Sequence, residues 1–150
     1  MIAMSMKSTT QQDAADAPAA EYFPTDRPWE EQSGVHHLIG MRCSACGTLA
    51  FPKREVCSGC GADSGLEPAR LSARGKLYTY TEVHAAPAGF NTPYVIGYVD
   101  LDDGVRVFGQ IDAAMSDLAL DQTVETTIGV VRRRTNGTPV IGYKFRSVQP

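Results

Sequence analysis

The residues best suited to chemistry in this 150-residue chain are its four cysteines, all of which fall between positions 43 and 60. They form two Cys-x2-Cys pairs separated by ten residues, Cys43 with Cys46 and Cys57 with Cys60. Two intervening residues allow a tight turn to direct both thiolates at one ion about 2.3 Å away, and two such pairs supply the four ligands of tetrahedral zinc. A glycine, which readily adopts positive φ, follows each pair directly. The spacing predicts a zinc ribbon with Zn²⁺ as its cofactor.

Two disulfides or a Cys-x2-Cys redox pair are the alternatives to a metal site. Disulfides are disfavoured because secreted disulfide domains spread their cysteines over the fold, and the doubled motif disfavours the redox pair. Zinc is favoured over iron because the connecting segment is polar and nothing in the sequence indicates electron transfer. Four thiolates close the coordination shell, so the predicted site is structural. When all four bind zinc, the chain retains no thiol for nucleophilic catalysis.

The three histidines are the next candidates for chemistry. His36 and His37 precede the first cysteine pair, but four cysteines make them unnecessary as ligands, so a surface or interface role is favoured. His84 ends a predicted strand without a visible catalytic triad, and no Gly-x-Ser-x-Gly elbow, Walker loop or Gly-x-Gly-x-x-Gly fingerprint occurs. Catalysis by His84 is therefore disfavoured, and no catalytic residue is predicted on this chain.

Basic residues are concentrated near the C-terminus, although the whole chain carries a formal net charge of −3. Strand alternation would divide the arginine triplet at 132–134 between two faces, which favours a solvated edge. The alternative is a site for the phosphates of a nucleotide-containing ligand. The net negative charge argues against a compact nucleic-acid-binding protein.

Aromatic side chains recur on the predicted strands after position 75. In small barrels such side chains fill the core, which is the favoured interpretation, and a stacking platform for bases is the alternative. Phe90 lies in a predicted loop at 85–92, where it covers either the end of the barrel or a ligand or partner. The strand aromatics are Tyr78, Tyr80, Tyr94, Tyr98, Phe108, Tyr143 and Phe145.

The elements that position these residues divide the chain into four segments. The first segment (1–20) has almost no apolar side chains to bury. The second (21–42) is predicted to hold a short helix that begins near Asp26 and ends at Ser33-Gly34. No run approaches the ~20 apolar residues of a membrane span and no signal peptide is recognisable, which predicts a cytoplasmic protein without membrane contact. The predicted segments are a disordered tail (1–20), an N-terminal helix with a lead-in strand (21–42), the zinc ribbon (43–70) and a barrel (71–150).

Period-2 alternation and turn signals predict five strands in the last segment. Hairpin turns are predicted at Asp102-Asp103-Gly104 and at Asn136-Gly137, and residues 112–122 are predicted as a helical turn or loop. This layout predicts a mainly β protein whose barrel is a Greek-key oligonucleotide/oligosaccharide-binding (OB) fold, with a five-stranded sandwich or an open sheet as alternatives. The predicted strands are 77–83, 94–101, 105–111, 123–133 and 140–148.

The order of these parts and several residue runs resemble the acyl-CoA-associated zinc-ribbon/OB-fold family, formerly catalogued as a domain of unknown function. The resemblance extends from about Tyr22 to Val148. The ribbon alone is common to many families, and its coupling to an Arg-Gly-Lys run and a Pro-Tyr strand is more specific. Ser58 departs from the proline that is usual in the family, at a position that supplies no ligand. The matching runs are Met41–Gly47, Phe51–Arg54, Cys57–Gly61, Arg74–Thr81, Pro93-Tyr94, Val99–Gly104 and Ile128–Val130.

The resemblance implies a rubredoxin-like zinc ribbon and a role beside thiolase-type enzymes that act on acyl-CoA thioesters. In such complexes the partner carries the catalytic cysteine and histidines. This chain is therefore expected to be a non-catalytic, zinc-containing subunit that assists assembly and the binding of CoA or the acyl group. Degradative β-ketoacyl-CoA thiolysis is the favoured reaction, and an aldolase or acyltransferase complex with a thiolase-like partner is the alternative. A nucleic-acid-binding module and a stand-alone enzyme are the alternatives from other classes.

Residue type and loop position assign the candidate ligand contacts of this expected subunit. Lys76, Arg132 and Lys144 are predicted to meet CoA phosphates. Phe90 and Tyr94 are predicted to line an acyl channel. The predicted partners are thus a thiolase-like catalytic chain and an acyl-CoA.

Overall fold

The computed structural model describes residues 19–148, which form ten β-strands and one turn of 3-10 helix. The predicted disordered tail lies almost wholly outside the described residues. Across positions 19–148 no helix is long and apolar enough to cross a membrane. The elements are β1 (Glu21–Tyr22), β2 (Trp29–Gln32), β3 (Val35–Cys43), β4 (Leu49–Ala50), β5 (Leu66–Arg70), β6 (Arg74–Val83), β7 (Tyr94–Leu101), β8 (Arg106–Ile111), the 3-10 turn (Met115–Asp117), β9 (Thr123–Arg133) and β10 (Pro139–Ser147).

Strands β6 to β10 close into a barrel, in which each strand pairs with two neighbours in the order β6-β7-β8-β10-β9 and back to β6. The pairings are antiparallel except for β8 with β10, where Lys144 lies opposite Gln110. A closed five-stranded barrel of this kind is an OB-fold, which excludes the sandwich and the open sheet. All five predicted strands are present, and the 3-10 turn falls in the predicted insertion at 112–122.

The hydrophobic core runs without interruption from the barrel into the preceding segment. Inside the barrel, Leu77, Val99 and Phe145 are fully buried. Leu38 of β3 and Leu71, which joins β5 to β6, belong to the same cluster. The ribbon and the barrel therefore pack on one shared core, so the orientation of the ribbon depends on barrel packing.

The predicted N-terminal helix is wrong, because this segment forms a β-hairpin. Strand β2 pairs antiparallel with β3, with Trp29 opposite Leu38. The residues expected to end a helix, Ser33 and Gly34, instead form the hairpin turn, with φ values of 52° and 79°. Positive φ at both central residues matches the twist of the flanking strands. A four-residue strand is too short to show its period, so the turn residues Ser33 and Gly34 are as compatible with a helix end as with a hairpin.

Strand β3 is the central strand of the ribbon and pairs with β2, β4 and β5. The junction to the barrel is fixed by hydrogen bonds at Leu71 and at the residue that follows it. The N–H of Leu71 donates to the carbonyl of Leu38 at 2.9 Å, and the N–H of Ser72 donates to Asp103 Oδ2 at 2.8 Å. Asp103 lies in the predicted β7–β8 hairpin turn, so this turn also holds the ribbon against the barrel.

Candidate zinc centre and barrel-rim pocket

The two cysteine pairs lie in knuckles of matching backbone geometry. In the first, the N–H of Gly47 donates to the carbonyl of Cys43 at 2.8 Å, and in the second the N–H of Gly61 donates to the carbonyl of Cys57 at 2.9 Å. The glycine φ values are 77° and 78°, in the region that other residues rarely adopt. The glycine after each pair is therefore required by the turn, as the sequence predicted.

The four thiols converge on one point between the knuckles. Their Sγ atoms all lie within 4.8 Å of one another. Cys43 and Cys60 are 3.7 Å apart, and Cys46 and Cys57 are 3.6 Å apart. A tetrahedron with zinc–sulfur bonds of 2.3 Å has edges of about 3.8 Å, so the arrangement fits Zn²⁺. Each knuckle contributes one buried and one exposed cysteine.

Backbone N–H groups favour the thiolate form that zinc binding requires. The N–H groups of Cys60 and Gly59 lower the pKa of Cys57 to about 6, and the Gly59 nitrogen lies 3.3 Å from the sulfur. The hydroxyl of Thr48, 3.0 Å from the sulfur, is the largest cause of the lowered pKa of Cys46. Donors aimed at sulfur are a recurring feature of metal sites because they stabilise the negative charge.

Crowding of the thiols acts in the opposite direction at the fourth cysteine. The N–H of Ala62 lowers the pKa of Cys60, but the neighbouring thiols of Cys43 and Cys46 outweigh it and raise this pKa to about 12. Several thiolates at this separation repel one another, and a divalent cation at their centre removes that repulsion. Both the geometry and the donor set fit zinc, and four thiolates leave no open coordination position.

The histidines make other contacts and do not belong to the group of four ligand atoms. His37 Nδ1 lies 2.8 Å from the carbonyl of Leu71, and His36 Nε2 lies 3.6 Å from Glu31. His84 is exposed and lies 2.9 Å from Glu82.

A second site is a pocket of about 620 Å³ at the rim of the barrel, between the β6–β7 loop and strands β8, β9 and β10. It brings together four of the five residues predicted to contact CoA or the acyl group, namely Phe90, Tyr94, Arg132 and Lys144. The Phe90 ring stacks on Tyr94 with centroids 5.4 Å apart. Lys144 Nζ lies 3.5 Å from Asp112 Oδ1.

The fifth predicted contact, Lys76, lies elsewhere. Its Nζ donates to Thr123 Oγ1 at 2.7 Å, across the β6–β9 seam, and it does not line the rim pocket. Arg133 lines the pocket together with Arg132, whereas Arg134 pairs with Glu21 at 2.8 Å. The arginine triplet is thus divided between a pocket wall and a surface ion pair.

The pocket is shaped by residues that the sequence analysis missed. The side chain of Gln110 donates to the carbonyl of Val131 at 2.9 Å, bridging β8 to β9. That carbonyl is available because Val131 is the extra residue of a bulge in β9, where Val140 pairs with Arg132 and Ile141 with Val130. The loop is held to β9 at Gly89, whose carbonyl accepts the N–H of Arg133 at 2.9 Å. A bulge leaves no composition signal, so no pattern in the sequence indicated this geometry.

The predicted core role of the strand aromatics is correct for some and wrong for others. Phe145 is fully buried, and Tyr80 and Tyr143 pack against the core. Three others on β6, β7 and β8 face outward and are about half exposed. We refer to them as the aromatic strip: Tyr78, Tyr98 and Phe108.

Two protein-family models match the chain in succession. The family described as ChsH2, rubredoxin-like zinc ribbon domain, matches residues 34–67. The family described as ChsH2, C-terminal OB-fold domain, matches residues 69–132. These matches confirm both the ribbon and the barrel predicted from the sequence.

Individual relatives extend the comparison over most of the chain. The benzoylsuccinyl-CoA thiolase subunit BbsA of Thauera aromatica is 42% identical over 112 residues, which are 75% of this chain and 77% of that protein. The DUF35 domain-containing scaffold protein of Methanocaldococcus jannaschii is 38% identical over 82% of this chain and 90% of that protein. Among solved structures, the Ltp2-ChsH2(DUF35) aldolase matches with a TM-score of 0.61 and 25% identity, over 74% of this chain and 84% of that chain. The chain therefore belongs to the ChsH2 (DUF35) family, whose members join a rubredoxin-like zinc ribbon to an OB-fold domain.

Proposed function

We propose that this chain is a non-catalytic, zinc-stabilised subunit of a cytoplasmic thiolase-family complex that acts on acyl-CoA thioesters. The observation that carries the proposal is the gathering of all four cysteines into one closed tetrahedral site. With Zn²⁺ held there, the chain has no thiolate for acyl transfer, so the nucleophile belongs to another chain. The 42% identity to a protein named as a thiolase subunit supports the same division of labour.

Cys43, Cys46, Cys57 and Cys60 would hold a zinc ion, which would supply structure to the subunit. Four thiolates leave no position for a water or a substrate oxygen, so no Lewis-acid step involves the ion. When bound, it would tie the two knuckles together beside β3, so that the ribbon forms a rigid unit on the barrel.

The rim pocket is the proposed contact with the CoA thioester. Its volume of about 620 Å³ lies within the range of small-molecule sites. Arg132 and Lys144 supply cations suited to phosphate oxygens. The stacked pair Phe90 and Tyr94 supplies an apolar wall for the acyl chain or the adenine ring. Lys76 lies outside this pocket, so we confine the proposed ligand contacts to the other four residues.

The proposed reaction of the complex is degradative β-ketoacyl-CoA thiolysis. The thiolate of the partner's catalytic cysteine attacks the β-keto carbonyl, and the bond between the α and β carbons breaks. The α carbon leaves as the enolate of a shorter acyl-CoA and takes a proton from an acid of the partner, and the acyl group passes from the cysteine to the thiol of free CoA, whose proton returns to the partner. In this series of steps this chain positions CoA, and the partner breaks and forms the bonds.

The second candidate is a subunit of an aldolase complex with a thiolase-like partner. The observation that favours it is the fold similarity, at 25% identity, to the chain described as the Ltp2-ChsH2(DUF35) aldolase. Both candidates assign the same role to this chain and differ only in the chemistry of the partner. The identity of the copurified large chain and its reaction distinguish them.

The test begins with affinity-tagged full-length chain expressed in its source cells. A thiolase-like chain should copurify at a fixed ratio, and mass spectrometry identifies it. The large chain should then lose most of its thiolytic or aldol-cleaving activity when the small chain is omitted, and regain it on readdition. Full activity of the large chain alone, or turnover of an acyl-CoA by the purified small chain alone, would contradict the proposal.

A further inference from the structure

The aromatic strip lies on the outer face of the barrel, where each ring packs against a neighbouring side chain. Tyr78, Tyr98 and Phe108 are 51%, 44% and 48% exposed. Tyr98 and Phe108 are cross-strand partners of β7 and β8, with ring centroids 5.4 Å apart. Packing of this kind fixes the orientation of the rings before any partner binds, which limits the entropy lost on association.

A salt bridge at the end of the strip removes its net charge. The guanidinium of Arg106 lies 3.6 Å from the centre of the Tyr78 ring and donates two hydrogen bonds to Asp100, at 2.6 and 3.0 Å. Asp100 thereby neutralises the cation that stands over the aromatic face. Aromatic residues and arginine are the types enriched at protein–protein interfaces, where they carry most of the binding energy.

The same pairing argues against a polynucleotide as the ligand of the strip. Single-stranded nucleic acid binds to stacked aromatics only where unpaired lysines or arginines follow the phosphates. Arg106, the arginine in contact with the strip, is already paired with a carboxylate, and the whole chain carries a net charge of −3. The charge of the strip is therefore suited to a protein surface.

The strip continues toward the rim pocket through an apolar cavity of about 290 Å³. Phe108 of the strip lines this cavity together with Phe23 and Phe90, and Phe23 is 60% exposed. Phe90, Gln110 and other residues line both this cavity and the rim pocket. A chain that packs on the strip therefore reaches the edge of the proposed CoA site.

We propose that the aromatic strip is the surface on which the thiolase-type partner packs, so that the rim pocket lies at the seam between the two chains. This inference rests on the proposed function and adds the location of the partner. It also implies that CoA contacts both subunits, with its phosphates held by this chain and its thioester presented to the partner's nucleophile.

The test uses the full chain with the thiolase-type chain that copurifies with it, coexpressed and measured by biolayer interferometry. The double variant Tyr98→Thr with Phe108→Thr removes two rings and keeps β-branched residues suited to strands. We expect its Kd for the partner to rise by about 30-fold or more, the effect of a lost interface hot spot. The control variant Val35→Ser, which removes a side chain of 43% exposure at the start of β3, should leave the Kd within twofold. The conservative variant Phe108→Tyr should retain binding.

Zinc content and the thermal midpoint of each variant are measured alongside. Zinc content should match the wild type, and the thermal midpoint of the double variant should fall by only a few degrees, because a cross-strand aromatic pair contributes about 0.2–1 kcal/mol. A double variant that folds and binds the partner as tightly as the wild type would overturn the inference while leaving the proposed function intact. Failure of any thiolase-type chain to copurify with the wild type would overturn both. Loss of self-association in the double variant, or of tight, salt-sensitive oligo-dT binding, with partner affinity unchanged would assign the strip to a second copy or to nucleic acid instead.

Discussion

Replacement of Gly89 by alanine is expected to release the β6–β7 loop from β9 and to weaken ligand binding at the rim. Gly89 has φ of 101°, and its carbonyl accepts the N–H of Arg133 at 2.9 Å. A Cβ added to Gly89 would overlap the carbonyl oxygen of Arg133. Alanine therefore meets an unfavourable dihedral angle and a backbone clash at the same position, and only movement of the loop relieves both.

The magnitude follows from a comparison with Gly104, which has φ of 90° and no atom within 4 Å of the position that an alanine Cβ would take. Gly104→Ala should cost about 1 kcal/mol, because the left-handed conformation costs ~1–2 kcal/mol and reduced freedom of the unfolded chain offsets part of it. Gly89→Ala adds the loss of one hydrogen bond, worth ~0.5–1.5 kcal/mol, and the clash. We expect a total of about 2–3 kcal/mol, or a fall in Tm of roughly 5–10 °C.

The assay pairs urea denaturation with calorimetric titration of CoA into each folded variant. If the loop occupies its docked position a tenth of the time, the apparent Kd for CoA rises about tenfold, because only the docked form presents Phe90 to the pocket. Gly104→Ala should leave the Kd unchanged. Equal stability losses for the two variants, or an unaltered Kd in Gly89→Ala, would refute the contact between the loop and β9 as the support of the pocket.

Three further predictions concern charge, metal and the ribbon–barrel junction. Arg132→Ala should raise the Kd for CoA about tenfold and reduce its dependence on salt, whereas Lys76→Ala, outside the pocket, should leave both unchanged in the same titration. Removal of zinc by a strong chelator should release one equivalent per chain, measured by mass spectrometry, and should lower the Tm sharply because the ribbon loses its closing interaction. Asp103→Ala should lower the free energy of unfolding by about 1–3 kcal/mol in urea denaturation, because it leaves the partly buried N–H of Ser72 without its acceptor. Asp102→Ala, at the exposed neighbouring position, should lower it by under ~0.5 kcal/mol.

The metal site was predictable because its geometry is local. Two residues between Cys43 and Cys46, and the glycine that follows, determine a knuckle without reference to the rest of the fold. The barrel strands were predictable for a similar reason, since each is long enough to show its alternation. The pocket residues Phe90 and Arg132 were recognisable by type, whereas their proximity depends on closure of the barrel, which brings β9 beside the β6–β7 loop.

The inward direction of Tyr80 was not predictable, because it depends on a bulge in β6. Leu77 pairs with Val99, but the next pairing joins Thr79 to Tyr98, which leaves Tyr78 as an extra residue. An inserted residue reverses the inward and outward faces of the strand beyond it. Tyr78 is exposed, as alternation from the buried Leu77 already places it, whereas the bulge turns Tyr80 inward, where it donates its hydroxyl to the Leu118 carbonyl at 3.0 Å. Simple alternation places both tyrosines on one face.

The exposed aromatic strip has an energetic cost for the isolated chain. Burying an aromatic side chain stabilises a fold by roughly 1.5–3 kcal/mol. Three aromatic side chains that face outward therefore lack part of the stabilisation that full burial would provide. Exposed apolar surface of this kind also promotes aggregation, and the Arg106–Asp100 pair over Tyr78 limits that exposure in the free chain. A chain that covers the rings would bury this apolar surface, which restores the hydrophobic stabilisation and removes the tendency to aggregate. Under the proposed function, a partner that covers the rings would therefore add to the stability of this chain as well as supply the chemistry.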